Sequence, residues 1–452
     1  MVALGWVAIT SSVVITIIAF IQNKRGNFKP GTQRNKDESP TQTLYVIGDL
    51  HGDVQCAKHW VHKTKLIPNL LSSPPSDWKW EPDNNDDASL LFLGDYVDKG
   101  PHSRPTLEFV KALTDRFPDK VTAILGNHEV ELLKDRDSRY KTWGTAGYFQ
   151  LPYATVHPAE YLHYLPPKDE MEKNIDETED SIMTEQLDEL VVEALYNASM
   201  EVYSYNLYQH VMHTPEGPNS ITQLIQPPEW KAIVSDRLKF FQENYLNAYR
   251  TGTELGSWLE TRPIMHFYTF NKNYQGSMLF VHGGINLNVA QYLKGDAIKN
   301  DSHETDTALS ITESNVKFLN DLFHAHATDE KLVPFLINTK EGRLIEEMVT
   351  HRGNHKPNAC SELHGMLHNM DGTIERLGVG HTPDENIRVT CDGMFLALDS
   401  LLGRWIREIG NDYCRGDKHQ ISQNGRYECP KIKDQCEGQI VRIRDGNLEI
   451  IS

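Results

Sequence analysis

The chain is short of cysteine and of positive charge. Six cysteines are spread over 452 residues, and none forms a C-x-x-C pair, which argues against a zinc knuckle. Four of them (Cys391, Cys414, Cys429 and Cys436) come late in the chain. They read either as free, partly buried thiols or as one or two disulfides of an oxidising lumen. Lys and Arg number 45 against 63 Asp and Glu, a formal charge of -18. A surface so acidic repels a nucleic-acid backbone, so no nucleic-acid partner is expected. It also requires any phosphate site to be locally positive. No internal repeat is present.

What is there begins with Val2–Ile21, a run of about 20 residues without charge, the length that crosses a bilayer. It lacks a positive leader and a small-x-small cleavage site, so it reads as a retained single-pass anchor over residues 1–22 rather than a cleaved signal. Residues 23–42 hold Lys24, Arg25, Lys29, Arg34 and Lys36 among Gly, Pro, Asn and Gln, a polar linker. Residues 43–452 are 410 positions with enough apolar content for one large or two modest cores. Short apolar runs at 44–47, 90–93 and 121–125 predict strands, with helices over about 53–67 and 103–116 between them. That alternation predicts a layered α/β fold with mainly parallel central strands. Residues 166–274 read as a helical insertion with an acidic stretch at 169–180. Strands return at 277–281, 377–379 and 394–398. Alternating residues on both sides of Asp445-Gly446 predict a hairpin.

The chemistry sits just after the strands. Gly48-Asp49-Leu50-His51-Gly52, Gly94-Asp95-Tyr96-Val97-Asp98-Lys99-Gly100 and Gly126-Asn127-His128-Glu129 end the first three apolar runs. His282 and His381 end two later ones. Carboxylate, amide oxygen and imidazole suit divalent ions such as manganese, iron and zinc. Each residue alone reads as a cap, a turn former or a core histidine. Five such motifs in order read as one metal site at the carboxyl edge of a sheet.

In that order these motifs resemble the calcineurin-like metallophosphoesterases. Asn127-His128-Glu129-Val130-Glu131-Leu132-Leu133, Arg352-Gly353 and Gly378-Val379-Gly380-His381-Thr382 are similar to the Shewanella-like protein phosphatases within them. The resemblance runs from about Tyr45 to Ser400. It implies a β-sandwich flanked by helices, with two metal ions at its edge. Asp49 and His51 would bind the first ion, Asp95 would bridge, and Asn127, His282 and His381 would bind the second. A bridging hydroxide would attack phosphorus. His128 would protonate the leaving oxygen, oriented by Asp98, and Arg352 would clamp the phosphate. The family's Asp-Arg-Gly is here Asp98-Lys99-Gly100. Lys99 keeps the charge and loses the two-donor fork.

The resemblance thus implies a metal-dependent phosphatase hydrolysing phosphomonoesters, with a phosphorylated protein as the expected partner. Lys99-Gly100-Pro101-His102-Ser103 also resembles the relatives of bacterial dinucleoside-tetraphosphate hydrolases. A phosphoanhydride hydrolase acting on polyphosphate or dinucleoside polyphosphates is therefore the rival, with a catalytically silent binding module behind it. Asp53, Glu129 and His102 read as structural. Five positive charges between Lys24 and Lys36 place the catalytic domain in the cytosol by the positive-inside rule. Sequons at Asn197 and Asn300, with the late cysteines, pull toward a lumen, and the balance slightly favours the cytosol.

Overall fold

The computed structural model describes residues 41–82, 86–137, 156–165, 186–195, 228–270, 276–295, 310–370, 374–409, 420–421, 427–428 and 433–452. The expected anchor, nearly all of the linker, the acidic stretch and both sequon asparagines lie outside these residues. Among the described residues no helix is long and apolar enough to cross a membrane.

Among the described residues twelve strands form, in chain order: β1 (Gln42–Ile47), β2 (Asp87–Phe92), β3 (Val121–Ala123), β4 (Met265–Thr269), β5 (Ser277–Val281), β6 (Ile374–Val379), β7 (Arg388–Thr390), β8 (Phe395–Ala397), β9 (Gln420–Ile421), β10 (Tyr427–Glu428), β11 (Ile440–Arg444) and β12 (Asn447–Ile451). One five-stranded sheet has the order β12-β11-β1-β2-β3, a second the order β4-β5-β6-β8-β7, and β9 pairs with β10. The centre of each large sheet is parallel: β1 with β2, β2 with β3, β5 with β6 and β6 with β8. Antiparallel strands close three of the four edges, at β12, β4 and β7. Asp445 and Gly446 both take positive φ, 43° and 77°, as the tight turn between β11 and β12 demands.

Alternation along the strands explains why there are two sheets. Leu44, Val46 and Leu91 point to one face of the first sheet and meet Met278, Phe280 and Leu396 of the second in one buried cluster. The intervening Tyr45, Ile47, Leu90 and Phe92, with Leu279, Val281, Leu377 and Val379, face outward into the larger core beneath the helices. A strand buried on both faces reads as a continuous apolar run. The result is a two-sheet sandwich with helices outside, as expected.

The helices are α1 (Val54–Lys63), α2 (Ser103–Arg116), α3 (Asn127–Asp135), α4 (Trp230–Ala248), α5 (Glu254–Glu260), α6 (Leu287–Lys294), α7 (Ile311–His326), α8 (Leu332–Asn338), α9 (Lys340–Thr350), α10 (Cys360–Asn369) and α11 (Arg404–Ile409). Within 166–274, residues 186–195, α4 and α5 are helical, but Met265–Thr269 is an edge strand of the second sheet. Helices α7 to α10 fill a stretch in which the sequence showed no element. Side chains at Ser310 and Thr339 cap two of them, each satisfying a first-turn N–H.

Among the described residues, two disulfides tie the fold. Cys56–Cys436 joins α1 to the chain end, and Cys360–Cys391 joins α10 to the turn after β7. Of the two readings left open for the cysteines, these four follow the disulfide one. A buried ion-pair node adds to this. Arg136, at the end of α3, pairs with Glu260 at 2.8 Å and Asp329 at 3.1 Å. It also donates to the carbonyls of Leu133, Tyr249 and Ala327.

Candidate metal centre

The two sheets bring their motif-bearing ends together. A Cβ on Gly48 would strike the Leu398 carbonyl oxygen at 2.3 Å, so the ends of β1 and β8 touch although they belong to different sheets. Asp49 and His51 follow β1. Asp95 follows β2, and Asn127 and His128 open α3 after β3. His282 follows β5, and His381 follows β6. All are buried, at 8 % exposure or less. His51, Asp95, Asn127, His128 and His381 line, with Lys99, Arg352 and Asp399, a cavity of about 350 Å³; Asp49 and His282 lie behind that lining, fully buried.

Asp95 is the centre of the arrangement. Its Oδ2 lies 3.7 Å from His51 Nε2 and 3.8 Å from His128 Nε2. Its Oδ1 lies 3.1 Å from His282 Nε2. His282 Nε2 is also 3.1 Å from Asn127 Oδ1. Ligand atoms of His51, Asp95 and His128 lie within 4.8 Å of one another, and so do those of Asp95, His282 and His381. Asp95 is common to both groups. Asp49 stands 4.0 Å from His51 Nε2 and accepts from the His381 backbone N–H at 3.0 Å. The closeness is built in by glycine: a Cβ on Gly126 would lie 2.1 Å from Asp95 Oδ1, and one on Gly380 2.4 Å from Asp49 Oδ1.

The donor set fits divalent ions, and the ring nitrogens away from the cavity sort the histidines. His51 Nδ1 reaches the Val97 carbonyl at 3.2 Å and His282 Nδ1 the Leu93 carbonyl at 2.7 Å. A neutral carbonyl fixes Nδ1–H and leaves the Nε2 lone pair for a metal. Burial and the neighbouring cations push His51 down to about 3, and burial with His282 pushes His381 down to about 2. Neutral imidazole is the ligating form. His128 differs. Its Nδ1 meets the Asp98 carboxylate at 2.6 Å. Burial opposes its charge, but Asp95 and Asp98 outweigh burial and hold it above the ordinary value. It is therefore suited to carry a proton on Nε2 toward the cavity.

The backbone around these groups is strained. His51, Asp95, Asp98, Lys99 and His381 all have positive φ, between 43° and 70°. Such conformations are uncommon outside glycine and concentrate at functional sites. Glu129 holds the strained turn. Its carboxylate accepts from the N–H groups of Asp95, Tyr96, Val97 and Gly126, at 2.7 to 3.1 Å. Reading it as structural was correct. Asp53 caps α1 and pairs with Arg404 at 2.8 Å, also structural. His102 stands at the cap position of α2.

Two further residues bear on the site. Arg352, exposed at the cavity mouth, donates to Thr382 Oγ1 at 3.3 Å. Asp399, just after β8, was not singled out from the sequence. It lines the cavity, and burial pushes its carboxyl up to about 6. An Asp directly after an apolar strand, the pattern that flagged Asp49 and Asp95, was the available signal.

Comparison with known proteins agrees with this geometry. Residues 43–235 match the family described as calcineurin-like phosphoesterase. The match contains Asp49, His51, Asp95, Asp98, Lys99, Asn127 and His128, and stops short of His282, Arg352 and His381. A stretch of 86 residues is 36% identical to the serine/threonine-protein phosphatase PP2A-like PPG1 of Candida albicans, covering 19% of this chain and 16% of that protein. Another of 91 residues is 46% identical to the serine/threonine-protein phosphatase PP1-1 of Saccharomyces cerevisiae, covering 20% and 24%. The chain thus spans a quarter or less of the length of these curated relatives. Among solved structures, the cold-active protein-tyrosine phosphatase of a psychrophilic Shewanella species aligns with a TM-score of 0.43 at 15% identity, over 94% of this chain and 87% of that one.

Proposed function

We propose that this chain, which carries a calcineurin-like phosphoesterase domain over residues 43–235, is a metal-dependent phosphatase that hydrolyses phosphomonoesters on proteins. The observation that carries the reading is Asp95, common to one group with His51 and His128 and another with His282 and His381, with His128 bonded through its other ring nitrogen to Asp98. Divalent ions at such a site supply an activated water and Lewis-acid stabilisation of the phosphoryl oxygens. Asp49 and His51 would hold one, Asn127, His282 and His381 the other, with Asp95 between. Manganese, iron and zinc all suit these donors.

The chain's own residues do the rest. Arg352 and Lys99 present positive charge to the phosphate in an otherwise acidic protein. His128 donates its Nε2 proton to the departing oxygen, as a positioned acid does. Asp98 keeps the ring charged and aimed. The protein substrate is supported by the relatives, which are named serine/threonine-protein phosphatases.

The test is phosphate release by the metal-loaded protein from phosphopeptides, polyphosphate and dinucleoside polyphosphates. Release from phosphopeptides that chelation abolishes is expected. Turnover confined to the anhydrides overturns the assignment in favour of the phosphoanhydride reading. We also propose that Val2–Ile21 anchors the chain in a membrane as a single pass. The two disulfides weigh toward the lumenal side over the cytosolic one. A glycosidase-sensitive mass lost in an Asn197→Gln, Asn300→Gln double variant is expected; absence of any such mass favours the cytosol.

A further inference from the structure

The two ion positions are unequally provided with protein ligands. The second has Asn127, His282 and His381 beside the shared Asp95, whereas the first has only Asp49 and His51. The residue that faces this thinner side is Asp399. It is 2 % exposed and lines the cavity. Its Oδ1 accepts from the Leu401 N–H at 3.1 Å, and its Oδ2 is buried with no hydrogen-bond donor. Asp399 stands beside Asp49: a Cβ on Gly48, the residue before Asp49, would lie 3.3 Å from Asp399 Cα, and the two carboxyl groups act on each other directly. Two ionised carboxylates accept only, so they cannot satisfy each other. A buried carboxylate without a donor is costly, and two together repel. The backbone enforces the meeting: Leu401 takes φ of 55°, the Leu398 N–H bonds to the Val379 carbonyl at 2.7 Å, and the Asp384 N–H bonds to the Asp399 carbonyl at 3.1 Å.

We propose that Asp399 belongs to the first metal site, as the anionic group that compensates and retains the cation held by Asp49 and His51. A cation between Asp49 and Asp399 resolves the unpartnered oxygen and the repulsion together. The other described carboxylates around the site are engaged elsewhere: Glu129 by four N–H groups and Asp53 by Arg404. The inference rests on the metal-centre reading of this cavity and adds a residue to it. Asp399 acts on the ion, so it is a positioning residue rather than a catalytic one.

The experiment is a metal titration of the full chain, wild type against Asp399→Asn, with manganese and with cobalt. Asn keeps the volume and the acceptor for Leu401 and removes only the charge. Loss of a partner group around a metal typically weakens binding 10- to 100-fold. One of the two ions should therefore bind about 10- to 100-fold more weakly, and its share of the cobalt absorption spectrum should be lost at limiting metal. The other ion should bind as in the wild type. Asp399→Glu should recover part of the affinity by restoring the charge. Unchanged affinity for both ions overturns the proposal. So does equal weakening of both, which marks a general structural effect. Failure of Asp399→Asn to fold with or without metal also overturns it, because the charge would then serve the fold rather than the ion. None of these readouts depends on phosphate release, so an inactive protein that binds two ions refutes the phosphatase assignment and leaves this one standing.

Discussion

The bond between Asp98 and His128 offers the sharpest test of the acid assignment. Asp98→Asn is the perturbation, because the backbone tolerates it. Asp98 has φ of 70°, and Asn is among the few residues enriched in that region. The Asp98 N–H bond to Ser103 Oγ, 2.9 Å, is a main-chain contact and survives. His128 Nδ1 keeps an oxygen acceptor near 2.6 Å. What disappears is the negative charge.

A hydrogen bond to a charged group contributes roughly 1.5–3 kcal/mol, a neutral one roughly 0.5–1.5. The difference of about 1–1.5 kcal/mol falls on the charged form of His128. At about 1.4 kcal/mol per unit, that lowers its pKa by about one unit. The sign follows from the cause: the carboxylates hold His128 up against burial, so removing one lets it fall. The basic limb of kcat against pH should move about one unit toward acid. Turnover well above the wild-type limb should drop about tenfold, while turnover well below it barely changes. The assay is kcat from pH 5 to 10 on an alkyl and an aryl phosphate, with metal content measured by elemental analysis. A basic limb that stays in place at constant metal content refutes the claim that Asp98 tunes the acid.

Three other outcomes are expected. His128→Ala should lower kcat roughly 10²–10⁴-fold on alkyl phosphates and much less on aryl phosphates with good leaving groups; equal losses on both would remove the general-acid role. Arg136→Ala should lower stability by about 3–5 kcal/mol, since it removes the buried cation between Glu260 and Asp329 and the donor to three buried carbonyls, and urea unfolding that shifts by less than about 1 kcal/mol would show the node to be inert. Burial pushes Glu160 from the ordinary 4.5 up to about 8 despite bonds from Tyr164, Arg104 and Ser103. The stability this protonated carboxyl contributes is present below about 4.5 and lost as pH rises through about 8. The Tm of the wild type should therefore fall over that window relative to Glu160→Gln, and parallel profiles would refute it.

The fold was legible where two periodicities agreed. Apolar runs at 44–47, 90–93 and 277–281 are buried on both faces, so they stand out as strands, and the motifs after them mark which sheet edge matters. Met265–Thr269 was missed for the opposite reason. It is an edge strand with His266, Phe267 and Tyr268 only half-buried, next to helices whose pattern continues into it. The pairing of Cys56 with Cys436 spans 380 positions, and nothing local in either neighbourhood names the partner. Asp399 went unread because its residue type is as good a turn former as a metal partner. Only its burial and its place opposite Asp49 distinguish the two.

The strained turns show why the ligand identities were readable while their support was not. Five site residues occupy left-handed backbone, where an ordinary sequence would place glycine. Each such conformation costs of order 1–3 kcal/mol unless its surroundings fix it. A glycine there would relieve the strain and remove the side chain that the chemistry requires. The sequence instead places glycines just before four of the ligand residues, at Gly48, Gly94, Gly126 and Gly380, where backbones must pass closely. That pattern of Gly followed by Asp or His is what makes the motifs recognisable. The compensation comes from elsewhere. Glu129 gathers four backbone donors from two different turns, and it lies 34 positions from Asp95. A buried glutamate on the first turn of a helix reads as a cap, which it also is. Its second task, to hold the Asp95–Val97 backbone in place for Asp95 and Asp98, depends on a contact between strand ends that only the folded chain makes.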